Sequence, residues 1–403
     1  MFTLFSANLL SRVYISLITI IISVLTARLL GPEGRGNLAI FINVINFMSM
    51  LLCISIGDSV FHPSLTNRSN NRLFTDSFII VTGLLCISFV PVYFYLKTSS
   101  GVSNVILPLF VTTVISFQII EGIIRSLATR ANLLIYHNIY SVIGKTISLV
   151  CVVVAIYTYR SAIGVIISIL FGLSISNGLS VFKFKLRIIR GVSVISCLEM
   201  IKVSLPIHIG LIGAAVLSQA DQIIIGLYSS KSTIAHYQIA MQFISLPLLI
   251  PQAATNVIYN RLPEMGMQQR EMFARKCLLF SLSFSLIIVF LIHFLSEPLI
   301  IILFGGEYLP ASKFLNSASW IIFGTVSMTI MGPFWVVLGK AKKNSIFTLI
   351  TACIFVVTSL YIFQKTGVNG VIGVLVFCYT GLAFLNIFTW LANRKMPETR
   401  SII

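Results

Sequence analysis

Twelve stretches of about 20 or more mostly apolar residues follow one another along this chain, separated by short polar breaks. They lie at roughly 10–30, 37–60, 74–96, 104–124, 133–157, 161–182, 203–227, 233–257, 276–296, 314–338, 344–364 and 368–392. Runs of this length exceed buried strands several-fold, and each is long enough to cross a bilayer as a helix. Lipid offers no hydrogen bonds to the backbone, so each crossing must satisfy its own peptide groups, and the α-helix does so within one segment. A mean hydropathy of +1.00 and only 10% charged residues exclude a water-soluble domain, whose polar face could not be built. The expected fold is an all-α integral membrane protein of about 12 transmembrane helices, in two pseudo-symmetric six-helix bundles around a central cavity.

The net charge of +17 could suggest nucleic acid, but the basic residues sit between apolar spans and form no single basic face. Alternate loops differ sharply. With the N-terminus inside, the inner segments hold 20 Lys and Arg and the outer ones 7, with Lys145 inside a span. The positive-inside bias therefore places both termini in the cytoplasm. The longest inner connection, Lys183 to Lys202, opens with KFKLRIIR, whose alternation of basic and apolar residues suits an interfacial segment on anionic lipids.

That connection falls near the midpoint and is read as the linker between an N-terminal lobe, residues 1–190, and a C-terminal lobe, 191–403. An internal echo supports two halves. Shifted back by 199 residues, the hairpin around Ser229–Thr233 lands on Leu30–Gly34, Gln242 on Asn43 and Ser245 on Asn46. A second echo pairs ATRANLLIY (Ala128–Tyr136) with KAKKNSIFT (Lys340–Thr348). Parallel repeats of this kind belong to secondary transporters, with the substrate path between the halves.

Polar groups inside the spans are the candidate site. Gln238, Gln242, Ser245, Gln252 and Asn256 recur on one helical face, and the repeat adds Asn43 and Asn46; these suit the wall of a pathway. Lys145 lies mid-span, too deep to reach the interface, and suits an anionic cargo such as a phosphate unless Glu121 neutralises it. Glu121 and Arg125 are four apart on one face and read equally as a salt bridge. Asp221 reads as a proton or cation site, as one half of an outer gate closed by a bridge to Arg28, or as a structural ion pair. His208 is a titrating group of a proton-coupled cycle or a satisfied interior histidine. Asp58 and Asp76 are placed near the water interface, with structural roles. Pro247 and Pro251 are expected to bend the eighth span.

Some chemistry is missing from the pattern. The seven cysteines are scattered without a CxxC, and no zinc-type cluster, Walker A loop or GxSxG occurs. No metal, no cofactor and no enzymatic activity are expected.

Four segments resemble the polysaccharide-transport branch of the multidrug/oligosaccharidyl-lipid/polysaccharide exporter superfamily, and within it the Wzx-type O-antigen flippases. They are ARLLGPEGRGNLA (Ala27–Ala39), DQIIIGLYSSKSTIAHYQIA (Asp221–Ala240), LFGGEYLPA (Leu303–Ala311) and GKAKKNSI (Gly339–Ile346). Ala235 departs from the family pattern, which often has glycine there. The resemblance implies transport of an undecaprenyl-diphosphate-linked oligosaccharide of O-antigen or lipopolysaccharide biosynthesis between leaflets. It also implies alternating access driven by protons or sodium ions, and a cationic cavity to which Arg28, Lys145 and Arg125 would contribute. Polymerase and chain-length proteins of the same pathway are candidate partners; nucleic acid is not. Two other readings stay open: a drug or toxin antiporter of the same superfamily, and a membrane glycan polymerase. The latter usually carries a long catalytic loop, and the longest loops here are about twenty residues.

Overall fold

The computed structural model describes residues 2–101, 104–189, 193–262, 265–337 and 341–393. No strand occurs among them. Thirteen α-helices follow in order: α1 (Phe2–Leu52), α2 (Ile56–Ser59), α3 (Asn70–Ser100), α4 (Ile106–Arg130), α5 (Leu134–Tyr159), α6 (Ala162–Lys183), α7 (Val194–Tyr228), α8 (Lys231–Ser245), α9 (Leu249–Arg261), α10 (Met267–Phe304), α11 (Pro310–Ala318), α12 (Ile321–Val337) and α13 (Ala341–Asn393).

Their lengths recover the expected crossings. Eight continuous stretches are apolar and long enough to span a bilayer, and two more spans arise if α8 with α9 and α11 with α12 each count as one. At the helical rise, α1 and α13 would be about 75–80 Å long, more than twice the hydrocarbon core. Each is two helices meeting at a glycine with positive φ, Gly31 (φ 68) and Gly367 (φ 64). A side chain is strained there and glycine is not. Counting these as two crossings each restores the twelve helices.

Local chemistry sets several ends. Ser69, Ser161 and Ser193 each accept a backbone N–H of the helix they precede, from Arg72, Ile163 and Ser196 at 3.3, 3.2 and 3.1 Å. The eighth span does bend: α8 stops at Ser245, residues 246–248 form a turn carrying Pro247, and α9 departs at 41°. Pro251 sits in the first turn of α9, where its missing N–H has no intrahelical partner to lose.

Contacts divide the chain into two compact units, Met1–Ile239 with Ile300–Pro310, and Ala240–Leu299 with Ala311–Ile403. The boundary expected at residues 190 and 191 follows the repeat and the basic linker; in contact terms α7 packs on α1, α2 and α3 of the first unit. Within that unit α5 and α6 are the most extensively packed pair. They cross at Gly144 and Gly172, where a Cβ on Gly172 would overlap the Ser148 hydroxyl and the Gly144 carbonyl. Small residues let the two backbones approach, which is how helices gain packing energy in lipid. Gly172→Leu is expected to force them apart at a cost of at least about 1–3 kcal/mol, read as a lower melting temperature of the purified protein. In the second unit α12 packs on α9 and α13, and the Thr255 hydroxyl reaches the Thr329 carbonyl at 3.4 Å.

Candidate functional site

Three helices of the first unit bring charged groups together below their surfaces. Glu121 and Arg125 stand one turn apart on α4, Lys145 lies on α5 and Arg12 on α1. Glu121 accepts a hydrogen bond from the Ser141 hydroxyl at 3.1 Å. The charges of Lys145 and Arg125 act on Glu121, and that of Arg12 on Arg125. Yet neither Lys145 nor Arg125 closes to an ion pair with Glu121; the ion pairs among the described residues lie elsewhere. Lys145 Nζ has no hydrogen-bond partner among the described residues, and Arg12 Nε is buried without one. Two cations therefore act on a single carboxylate, and a third, Arg12, acts on Arg125. Such an excess costs free energy in hydrocarbon and is relieved by an anion, and guanidinium and ammonium groups both bind phosphate oxygens. Arg12, expected only as topogenic charge, is the member that sequence reasoning missed.

The polar faces are engaged with one another. Asn43, fully buried on α1, accepts from Gln238 Nε2 of α8 at 2.9 Å. Asn46 accepts from Gln118 Nε2 at 3.4 Å, and Gln118 Oε1 accepts from the Ser49 hydroxyl at 3.2 Å. Residues 43, 46 and 49 thus form one ladder. The face expected to continue through Gln242, Gln252 and Asn256 does not stay continuous, because the turn at 246–248 reorients the helix. In the second unit Gln242 is half-buried and Gln252 exposed, while the side chain of Asn256 lies outside the described residues.

Asp221 is fully buried on α7, and its Oδ2 accepts from the Tyr237 hydroxyl at 2.5 Å while Oδ1 has no hydrogen-bond partner among the described residues. The bridge expected between Asp221 and Arg28 is not formed. Arg28 is exposed, and its guanidinium donates from Nε to the Leu303 carbonyl at 2.8 Å and from Nη2 to that of Ile302. These are unpaired carbonyls at the C-terminus of α10, where the helix dipole gathers negative charge that a cation satisfies without a carboxylate. His208 is a satisfied interior histidine: its ring bonds the Leu51 carbonyl at 2.8 Å and the Ser55 hydroxyl at 3.3 Å.

Two further clusters tie the ends of α7 to the rest of the first unit. At its N-terminal end Asp76, expected to meet water, is instead fully buried. It pairs with Arg68 at 3.2 Å and Arg72 at 3.4 Å and accepts from the Ser196 hydroxyl at 2.6 Å, while Arg68 also meets Glu199. The sequence signal was available, since Arg72 and Asp76 are one helical turn apart.

At the C-terminal end three of the family-like segments converge. A Cβ on Gly36 would overlap the backbone carbonyl of Lys231. The His236 ring nitrogen donates to the Glu307 carbonyl at 3.2 Å and stands edge-on to Tyr308 at 5.5 Å. Tyr308 donates to the Ala27 carbonyl at 3.0 Å; burial pushes its phenol up to about 12, so it stays a donor. Arg35 is buried beside it and donates to Ser23 Oγ at 3.2 Å. The motifs that carry the family likeness thus hold a helix junction, away from the cationic cluster. Of GKAKKNSI, residues 339 and 340 lie outside the described residues. No group of three or more His, Cys, Asp or Glu side chains suited to a metal occurs among the described residues.

Comparison with known proteins agrees with this architecture. A family described as "Polysaccharide biosynthesis protein" matches residues 24–313. No curated protein matches the sequence. Among solved structures, the lipid II flippase MurJ in an inward closed conformation superposes with a TM-score of 0.79 at 16% identity, over 96% of this chain and 87% of that one. An inward-facing multidrug resistance MATE family transporter of the MOP superfamily gives 0.75 at 14% identity, over 94% of both chains. A MOP superfamily transporter from Pyrococcus furiosus gives 0.55 at 16% identity, over 97% and 94%. At these identities the likeness is one of fold. The family match covers most of the chain, and on it this multi-pass membrane protein belongs to the polysaccharide biosynthesis protein family, with the fold of the MOP superfamily.

Proposed function

We propose that this protein moves an undecaprenyl-diphosphate-linked oligosaccharide repeat unit across the cytoplasmic membrane, by ion-coupled alternating access of two lobes, residues 1–190 and 191–403. The observation that carries the reading is the cationic cluster: Arg125 and Lys145 act on Glu121 alone, and Arg12 acts on Arg125. A diphosphate supplies the missing negative charge, whereas a cationic drug does not. The family match supports a saccharide cargo. Asp221, buried with one oxygen unpartnered, is the coupling group for a proton or sodium ion. The bias of 20 inner to 7 outer basic residues supports cytoplasmic termini. The protein acts as a carrier, without a catalytic step of its own.

The test is transport of a labelled undecaprenyl-diphosphate saccharide in proteoliposomes, together with the leaflet on which such lipids accumulate when the gene is deleted. Accumulation on the inner leaflet supports the flippase. Normal export with unpolymerised units outside favours a polymerase. Lys145→Ala is expected to slow transport about tenfold or more, the effect of losing one charge-assisted contact of about 1.5–3 kcal/mol, and Lys145→Arg to retain most of it. Altered drug resistance with no glycan phenotype in Lys145→Ala favours the exporter reading.

A further inference from the structure

After α1 ends at Leu52 the chain turns through Ile54 and Ser55, both left-handed at φ 43 and 49. A β-branched residue in that region is an outlier, and such strain persists where the surroundings impose it, often beside binding sites. His208 imposes it here, gripping the Leu51 carbonyl and the Ser55 hydroxyl from α7. Beside the turn lies a cavity of about 290 Å³, with polar groups from Ser49, Ser55, Asp58, Gln118 and Ser126. Its remaining wall includes the aliphatic side chains of Met50, Ile119 and Ile123. The Asp58 carboxylate makes no ion pair or hydrogen bond among the described residues, in a chain of 28 Lys and Arg to 11 Asp and Glu.

This lining selects a ligand class. A carboxylate repels phosphate, and the absence of an aromatic ring from the lining among the described residues leaves a flat drug cation without a stacking partner. Hydroxyls, a carboxamide and a carboxylate match the donors and acceptors of a polyol, while an aliphatic wall accepts a C–H face. A volume near the lower end of small-ligand pockets is enough for one sugar ring. Position adds to this. Gln118, Gly122 and Ser126 line the cavity from α4, and Glu121 and Arg125 of the cationic cluster occupy the adjacent face of the same turns, roughly a third of a turn around.

We infer that this cavity is the subsite for a single pyranose ring, the sugar joined to the diphosphate, with Asp58 accepting its hydroxyls. The inference rests on the lipid-linked cargo proposed above. Cys53 also lines the cavity and reports on it directly. The wild-type protein in nanodiscs is treated with N-ethylmaleimide, and labelling of each cysteine is followed by peptide-resolved mass spectrometry. The probes are undecaprenyl diphosphate alone, and the same lipid bearing one N-acetylglucosamine or one galactose.

At least one sugar-bearing lipid is expected to slow labelling of Cys53 threefold or more, with the labelling of the other cysteines unchanged and the bare lipid without effect. Asp58→Ala is expected to abolish that protection while the bare lipid still raises the melting temperature. Equal protection by the bare lipid, or none by either sugar lipid although both raise the melting temperature, overturns the subsite and leaves the cargo standing. If no lipid raises the melting temperature, the cargo reading fails and the subsite falls with it.

Discussion

Asp76→Ala is expected to remove about 3–5 kcal/mol of stability, the cost of breaking a buried ion pair by deleting one partner. Asp76 is fully buried between α3 and α7, and Arg68 and Arg72 converge on it with the Ser196 hydroxyl. Without the carboxylate, two guanidinium groups only 19% and 26% exposed keep their charge and lose their counter-ion. Typical domains have only about 5–15 kcal/mol to lose, so most of the folded population is at risk. Glu199→Ala, which removes a carboxylate that is 58% exposed, is expected to cost about 1 kcal/mol or less. Melting temperatures of the two purified variants decide the matter. Equal values would mean that the network does not depend on its buried member. The same anchor sets where α7 begins, so an Asp76→Ala protein that folds is expected to transport poorly.

Gly36→Val is expected to abolish transport and to lower the melting temperature by more than Gly172→Leu does. The obstacle at Gly36 is a backbone carbonyl, that of Lys231, and a backbone cannot rotate away as a side chain can. Ordinary overpacking costs about 1–3 kcal/mol. Here the start of α8 must move as a body, which also disturbs the His236 bond to Glu307 and its ring contact with Tyr308. Gly36→Ala is the milder probe: a Cβ alone already meets the carbonyl, so alanine is expected to reproduce most of the loss. Full transport by Gly36→Ala would show that α1 and α8 need not approach this closely during the cycle.

Helix content and number were legible in the sequence because bilayer thickness imposes a length that can be counted. The glycines at which α1 and α13 divide sit at the expected breaks, since a positive φ with an extended ψ is a backbone region that glycine adopts and other residues avoid. Partner identity was less legible. The repeat made Asn43 the equivalent of Gln242 but named no partner for it, and the structure bonds it to Gln238. Arg28 was paired in expectation with Asp221, as opposite charges at similar depth, and the structure places it on carbonyls 274 and 275 residues away. Backbone acceptors carry no signature in a sequence. Asp76 was assigned to the interface by counting residues from the end of a span, a rule blind to a neighbouring helix that covers it.

The sequence by itself determined that this chain spans a membrane as a dozen helices, that basic charge is distributed unevenly between alternate loops, and that a lysine lies mid-span. Those properties follow from hydrophobic length and charge position, which are local. Only the tertiary structure decided that Arg12 joins Lys145 and Arg125, that Asp221 answers to Tyr237, and that the family-like segments meet at one helix junction. Those outcomes depend on helix crossings, where a residue's neighbours come from distant segments and are chosen by packing. In lipid a polar side chain must find some partner, but nothing along the chain specifies which.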